Sequence, residues 1–134
     1  MSGSTPANEL VTDTMGLVLR LERRKLSPTA KSLFELAESR SMTIYVPALV
    51  LAEILYLSEK QRIGLSVKVA DYMKRFPNYR EYPMNLAVVQ SAAQITDVPE
   101  LYDRLIAGTA RLLGLNLITN DPIIRASSFV QTVW

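Results

Sequence analysis

The chain has 134 residues, enough for one domain that buries roughly two-thirds of the surface its unfolded form would expose. Its 49% hydrophobic and 21% charged residues are an ordinary globular composition, and no apolar run approaches the ~20 residues of a membrane helix. It contains no cysteine and no histidine, which excludes disulfides, thiol nucleophiles, imidazole metal ligands and Ser-His-Asp catalysis, while a net charge of +2 permits an anionic partner without requiring one.

Met1 to Asn8 is rich in Ser, Gly and Pro and lacks the basic start and apolar core of a targeting peptide. The expectation is a flexible tail over residues 1–8 on a cytoplasmic protein, then a single domain over residues 9–134. Glu9 to Thr12 (ELVT) is a short apolar strand ending at Asp13-Thr14, and Met15, Leu17, Val18, Leu19 and Leu21 predict a helix running into Arg23-Arg24-Lys25. Ser27-Pro28 is an N-cap and first-turn pair that opens a second helix with Leu33, Phe34 and Ala37 facing inward. Thr43 to Val46 (TIYV) is a second strand, and Pro47 opens a third helix carrying Leu49, Val50, Leu51, Ile54, Leu55 and Leu57. Ile63-Gly64 breaks it, and Val67, Val69, Ala70, Tyr72, Met73 and Phe76 mark a fourth. A brief extended piece lies within Asn78 to Pro83, and Met84 to Ala93 is a further helix.

Asp97 to Asp121 (DVPELYDRLIAGTARLLGLNLITND) predicts a helix, a Gly turn and a strand. Pro99 sets the helix start, Leu101, Tyr102, Leu105, Ile106, Thr109, Ala110, Leu112 and Leu113 recur at helical spacing, and Gly114 stops it. Leu115 to Thr119 is a strand that runs into Asn120-Asp121-Pro122, both a turn and a helix start. A single helical turn through Ala126 then leads to a terminal strand, Phe129 to Trp134. Strands alternating with helices imply an α/β fold with a mostly parallel sheet, and ligands of such sheets collect beyond the carboxyl ends of the strands.

Four carboxylates bear on that edge. Asp13 and Asp121 each follow a strand, and each is also a good helix cap. Glu53 stands among Leu49, Val50, Tyr56 and Leu57 on an apolar helix face, where an unpaired charge costs several kcal/mol. Asp103 borders the column Tyr102, Ile106 and Ala110. A buried cation, a rotated helix or solvation would account for the last two singly. All four together repel, since two charges ~4 Å apart cost roughly 4 kcal/mol at an effective dielectric near 20. A hard divalent ion such as Mg2+ or Mn2+ resolves that conflict, and it supports phosphodiester hydrolysis without histidine. Arg23, Arg24, Lys25 and Arg104 are candidates to meet RNA phosphates, although a basic run after a helix also complements its dipole.

LVTDT, VPALVLAEI, VPELYDRLIAGTARLLGLNLITND and the final TVW together resemble the PIN domain, especially the VapC toxin nucleases of type II toxin–antitoxin modules, over about Glu9 to Trp134. The resemblance implies a three-layer α/β/α fold of about five strands and a metal-dependent endoribonuclease that leaves a 5′-phosphate and a 3′-hydroxyl. It also implies a homodimer and an antitoxin partner crossing the active-site groove, for which Leu55, Leu57, Ile63 and Val67 could supply apolar surface. Carried over residue by residue, the family's acids fall on Asp13, Glu53, Asp103 (with Arg104) and Asp121, and its Thr-x-Asp pattern on Thr119 to Asp121, with the Thr119 hydroxyl near a bound water. Many relatives carry His where this chain has Met15 and Tyr102. Two other readings compete: an inactive PIN-like module that only grips a protein or RNA partner, and an aspartyl-phosphate domain, which lacks a lysine beyond Lys74.

Overall fold

The computed structural model describes residues 8–60 and 64–134. The expected tail, apart from Asn8, and Ile63 of the expected break lie outside the described residues. The elements are β1 (Glu9–Thr12), α1 (Thr14–Leu21), α2 (Pro28–Glu38), β2 (Thr43–Pro47), α3 (Ala48–Glu59), α4 (Leu65–Arg75), β3 (Tyr79–Tyr82), α5 (Leu86–Ala93), α6 (Leu101–Leu113), β4 (Asn116–Ile118), α7 (Pro122–Arg125) and β5 (Thr132–Val133).

The five strands form one sheet in the order β3-β2-β1-β4-β5, every neighbouring pair parallel, with helices flanking it. The central strands are apolar on both faces, as a parallel sheet covered by helices requires: Val11, Ile44, Val46, Leu117 and Ile118 are fully buried. Leu17 and Val18 of α1, Phe34 of α2 and Ile54 of α3 complete the same core. Strand order runs outward from β1 through β2 to β3, then reverses through β4 to β5, so the topological switch lies between β1 and β4.

Local sequence rules place most of the boundaries. The Ser27 hydroxyl accepts from the Ala30 amide at 3.0 Å with Pro28 opening α2. Gly114 ends α6 at φ 68°, a left-handed conformation that favours glycine. Other boundaries differ from the sequence expectation. α1 ends at Leu21, before the basic run, because Arg23 turns left-handed at φ 54°. α5 begins at Leu86 because Asn85 caps it, and α6 at Leu101 because the Glu100 carboxylate accepts from the Asp103 amide at 2.8 Å. β4 and β5 are shorter than the apolar runs around them, since β5 pairs with β4 alone at the edge of the sheet. α5 and α6 pack at glycine distance: a Cβ on Gly108 would lie 2.8 Å from the Ala92 backbone nitrogen. Among the described residues no helix is long and apolar enough to cross a membrane.

Candidate functional site

At the carboxyl edge of β1 and β4 the chain opens a cleft of about 970 Å³, and its lining includes Asp13, Glu53, Asp103 and Asp121. The sheet register brings the first and last together. Thr12 is paired with Ile118, the Asp13 amide donates to the Ile118 carbonyl at 3.1 Å, and Asp121 follows three residues beyond. Glu53 enters from α3 and Asp103 from the first turn of α6.

Both strand-end aspartates are also caps. Oδ1 of Asp13 accepts from the Gly16 amide at 2.7 Å, and Oδ1 of Asp121 accepts from the amides of Ile123 and Ile124 at 2.8 and 3.2 Å. The cap reading and the cleft reading are therefore both true of these residues. Capping fixes one oxygen of each carboxylate on the backbone. Gly16 makes room for this: a Cβ there would stand 3.0 Å from Asp13 Oδ1.

The Thr119 side chain is fully buried beneath the cleft, not exposed in it. Its hydroxyl accepts from the Asp121 amide at 3.1 Å and hydrogen-bonds the Asp13 carboxylate, tying the two strand ends together. Two further residues escaped the sequence reading. The Thr14 hydroxyl donates to Oε1 of Glu53, so the acid on the apolar face of α3 is answered by a hydroxyl rather than by a cation. Glu100, the cap of α6, adds a fifth negative charge that acts on Glu53 and Asp103. Its signal was local, an acid three residues before Asp103. The Thr14 contact spans 39 positions and has no local signal.

Burial pushes the Asp13 carboxyl up from 3.8 to about 6, against the pull of Thr119 and Gly16 and helped by the charges of Asp121 and Glu53. Asp103 also rises to about 6, first through burial and then through Asp121, Glu100, Glu53 and Asp13. Glu53 is raised by burial, opposed by Thr14 and reinforced by Glu100. The acids thus share one unfavourable electrostatic field. Among the described residues no three acidic side chains stand close enough to close round one ion. The donor set nonetheless fits a hard divalent cation: it is all oxygen, it carries excess negative charge, and among the described residues no basic side chain lines the cleft.

The basic candidates lie elsewhere. Arg23, Arg24 and Lys25 lie beyond the far end of α1 in a separate pocket, and Arg104 is not part of the cleft wall. Met15 and Tyr102 do line the cleft and are exposed there. Leu55 and Val67 are exposed, as the sequence suggested for a partner surface, whereas Leu57 is half-buried in the cleft wall and Ile63 lies outside the described residues.

The PIN domain family model matches residues 11–129. The chain belongs to the PIN domain family. Among solved structures, this PIN domain superposes on a chain of VapBC2 from Rickettsia felis, crystallised with a DNA fragment from its promoter, at TM-score 0.76 and 18% identity, covering 94% of this chain and 98% of that one. FitAcB from Neisseria gonorrhoeae matches at TM-score 0.70 and 18% identity over 93% and 96% of the two chains. VapC20 of Mycobacterium tuberculosis, a sarcin-ricin loop cleaving toxin, matches at 0.65 and 20% over 91% and 97%. At such identities what is shared is the fold. No curated protein matches this PIN domain by sequence.

Proposed function

We propose that this PIN domain is a metal-dependent endoribonuclease, the toxin of a VapBC-type pair, acting in the cytoplasm. The observation that carries the reading is the meeting of Asp13, Glu53, Asp103 and Asp121 in one cleft at the topological switch of a parallel sheet, with Asp13 and Asp103 both lifted to about 6. Such a cluster is tolerable when a doubly charged ion offsets it. Asp13, Glu53, Asp103 and Asp121 would hold Mg2+ or Mn2+, which when bound supplies charge neutralisation for the phosphodiester and a lowered pKa for attacking water.

The chain's own residues set the geometry. Asp13 and Asp121 are each held through Oδ1 by their caps, so the cap bonds use one oxygen of each carboxylate. Thr119 is a positioning residue that fixes Asp13 relative to Asp121. Among the described residues no hydrogen bond engages the Asp103 carboxylate, so this acid is free to orient a water or accept its proton. Glu53, held by the Thr14 hydroxyl, would complete the set of oxygen ligands.

Two partners follow from the same reading. An antitoxin is supported by the fold shared with a chain of a toxin–antitoxin complex from Klebsiella pneumoniae and by the apolar side chains of Leu49, Leu57 and Trp134 lining the cleft. A homodimer is supported by the exposed Leu55 and Val67. Incubating the purified chain with total RNA and Mn2+, then mapping the ends, tests the nuclease. Products with 5′-phosphate and 3′-hydroxyl ends are expected, lost with chelator and in Asp13→Asn. RNA left intact at millimolar Mn2+ would refute it and leave a binding module.

A further inference from the structure

A second cavity, of about 560 Å³, lies beyond the carboxyl end of α1 and is lined by Arg20, Arg23, Arg24, Lys25, Lys31 and Glu35 together with Leu26. Five cations face one acid there. Arg20 forms the floor and is only 8% exposed. Its guanidinium is locked side-on to Glu38, Nε donating to Oε2 at 2.8 Å and Nη2 to Oε1 at 2.7 Å. Glu38 is held in turn by the hydroxyls of Tyr72 and Tyr79, the latter at 3.2 Å. The side-on pairing occupies the Nε and Nη2 edge of the guanidinium and leaves Nη1 outside it.

The neighbouring cations are not all explained by local structure. The carboxyl end of α1 favours positive charge near Arg23 and Lys25. Lys31, however, stands in the opening turn of α2, the helix end that disfavours a cation, and Arg23 occupies the left-handed region at φ 54°. Arg24 pairs with Glu22 at 3.1 Å, whereas among the described residues no ion pair engages Arg23, Lys25 or Lys31. The result is a concave, positively charged pocket whose buried floor is pre-oriented before any ligand arrives.

Its position relates it to the acid cleft. Met15 and Leu19 line the cleft and Arg20 and Arg23 line the pocket, so α1 forms a wall of each. Met15 of the cleft and Arg20 of the pocket stand five residues apart on this helix, about 7.5 Å at the helical rise, and Arg23 follows just past its end. We propose that this pocket binds a phosphodiester of an RNA strand whose scissile segment lies in the acid cleft, a reading that rests on the proposed nuclease function. A fixed guanidinium in the pocket wall beside ammonium groups suits a phosphate oxygen, and continuity with a phosphodiester site favours a nucleic acid over an acidic peptide.

The test uses fluorescence anisotropy of a labelled single-stranded RNA with the full chain in EDTA, where no cleavage competes. The variant Arg23→Asn/Lys31→Gln keeps a residue tolerant of the left-handed backbone, and Lys25→Glu is a second, loop-borne variant. The double variant is expected to bind roughly tenfold more weakly at low salt and to shrink the slope of log affinity against log salt by about 1.4, the value for two lost phosphate contacts on a single strand. Unchanged affinity and slope in both variants, with unchanged melting curves, overturns the proposal. So does displacement of the RNA by poly-glutamate at equal charge, which reassigns the pocket to an acidic protein. The two readings fail separately. A wild-type chain that binds RNA in EDTA but never cuts it with Mn2+ loses the nuclease and keeps the pocket, whereas cleavage with binding blind to these variants does the reverse.

Discussion

Replacing Asp13 by Asn removes a buried negative charge while keeping an oxygen to cap α1. The wild-type carboxyl is lifted from 3.8 to about 6, so ionising it at pH 7 in the metal-free fold costs about 3 kcal/mol relative to the unfolded chain. Asn retains the acceptor for the Gly16 amide, and Asn and Asp are comparable caps. It weakens the contact with the Thr119 hydroxyl, a loss of about 1 kcal/mol. The net expectation is a gain of roughly 2 kcal/mol at pH 7 in EDTA, a rise in Tm of ~8 °C for a domain of this size. The folded state takes up its proton first on acidification, so the wild type recovers stability as pH falls from about 6 toward 4. The penalty recovered exceeds the variant's net gain, so the two stabilities cross near about pH 4.5, and below 3.8, where Asp13 is protonated folded and unfolded, the wild type leads by the ~1 kcal/mol of the Thr119 contact. Thermal melts across pH 4–7 measure this directly. If Asp13→Asn melts below the wild type at pH 7 and shows the same pH dependence, the carboxylate is a stabilising cap and the repulsion argument is wrong.

Further outcomes follow from the same geometry. Saturating Mn2+ should raise the wild-type Tm in a concentration-dependent way, by about 2.7 kcal/mol of stability at a hundredfold excess over Kd, and should raise that of Glu53→Gln or Asp121→Asn much less; calorimetry and melts check this. Gly16→Ala places a methyl 3.0 Å from Asp13 Oδ1, so RNA cleavage should fall at least tenfold with a stability loss of about 1 kcal/mol, read by initial rates beside melts. Thr119→Val leaves the Asp121 amide without its acceptor and removes the bond that lowers the Asp13 pKa, so about 1–3 kcal/mol of stability should be lost and the Asp13 titration should move above 6 by NMR. Glu38→Gln weakens the pairing of a buried Arg20 and should cost about 3 kcal/mol by denaturant unfolding without changing Mn2+ affinity.

The parts of this molecule legible in its sequence are those governed by neighbours along the chain. Ser27-Pro28, Gly114 and Asp121-Pro122 act within one turn, and they place the ends of α2, α6 and α7. The apolar strands and their parallel order follow from the alternation with helices, and that order brings Asp13 and Asp121 to one edge. Less was visible where distant segments meet. The hydroxyl of Thr14 on Glu53 and the joint hold of Arg20, Tyr72 and Tyr79 on Glu38 join α1, α2, α3, α4 and β3 in pairs that no spacing announces. The basic run shows the same limit: its charge was plain, but only the early end of α1 reveals that it stands in its own pocket.

The sheet's strand order also governs when the cleft can exist. Asp13 lies at the start of the chain, while its neighbours across the switch, Thr119 and Asp121, and the cleft-lining Trp134 come last. A chain still being translated holds its first carboxylate and the glutamate of α3 but has no strand beside β1 on that side to finish the pocket. If the chain cuts RNA, it has no complete site to act with until β4 and Asp121 have been made, and truncation anywhere before β4 yields a protein without that site.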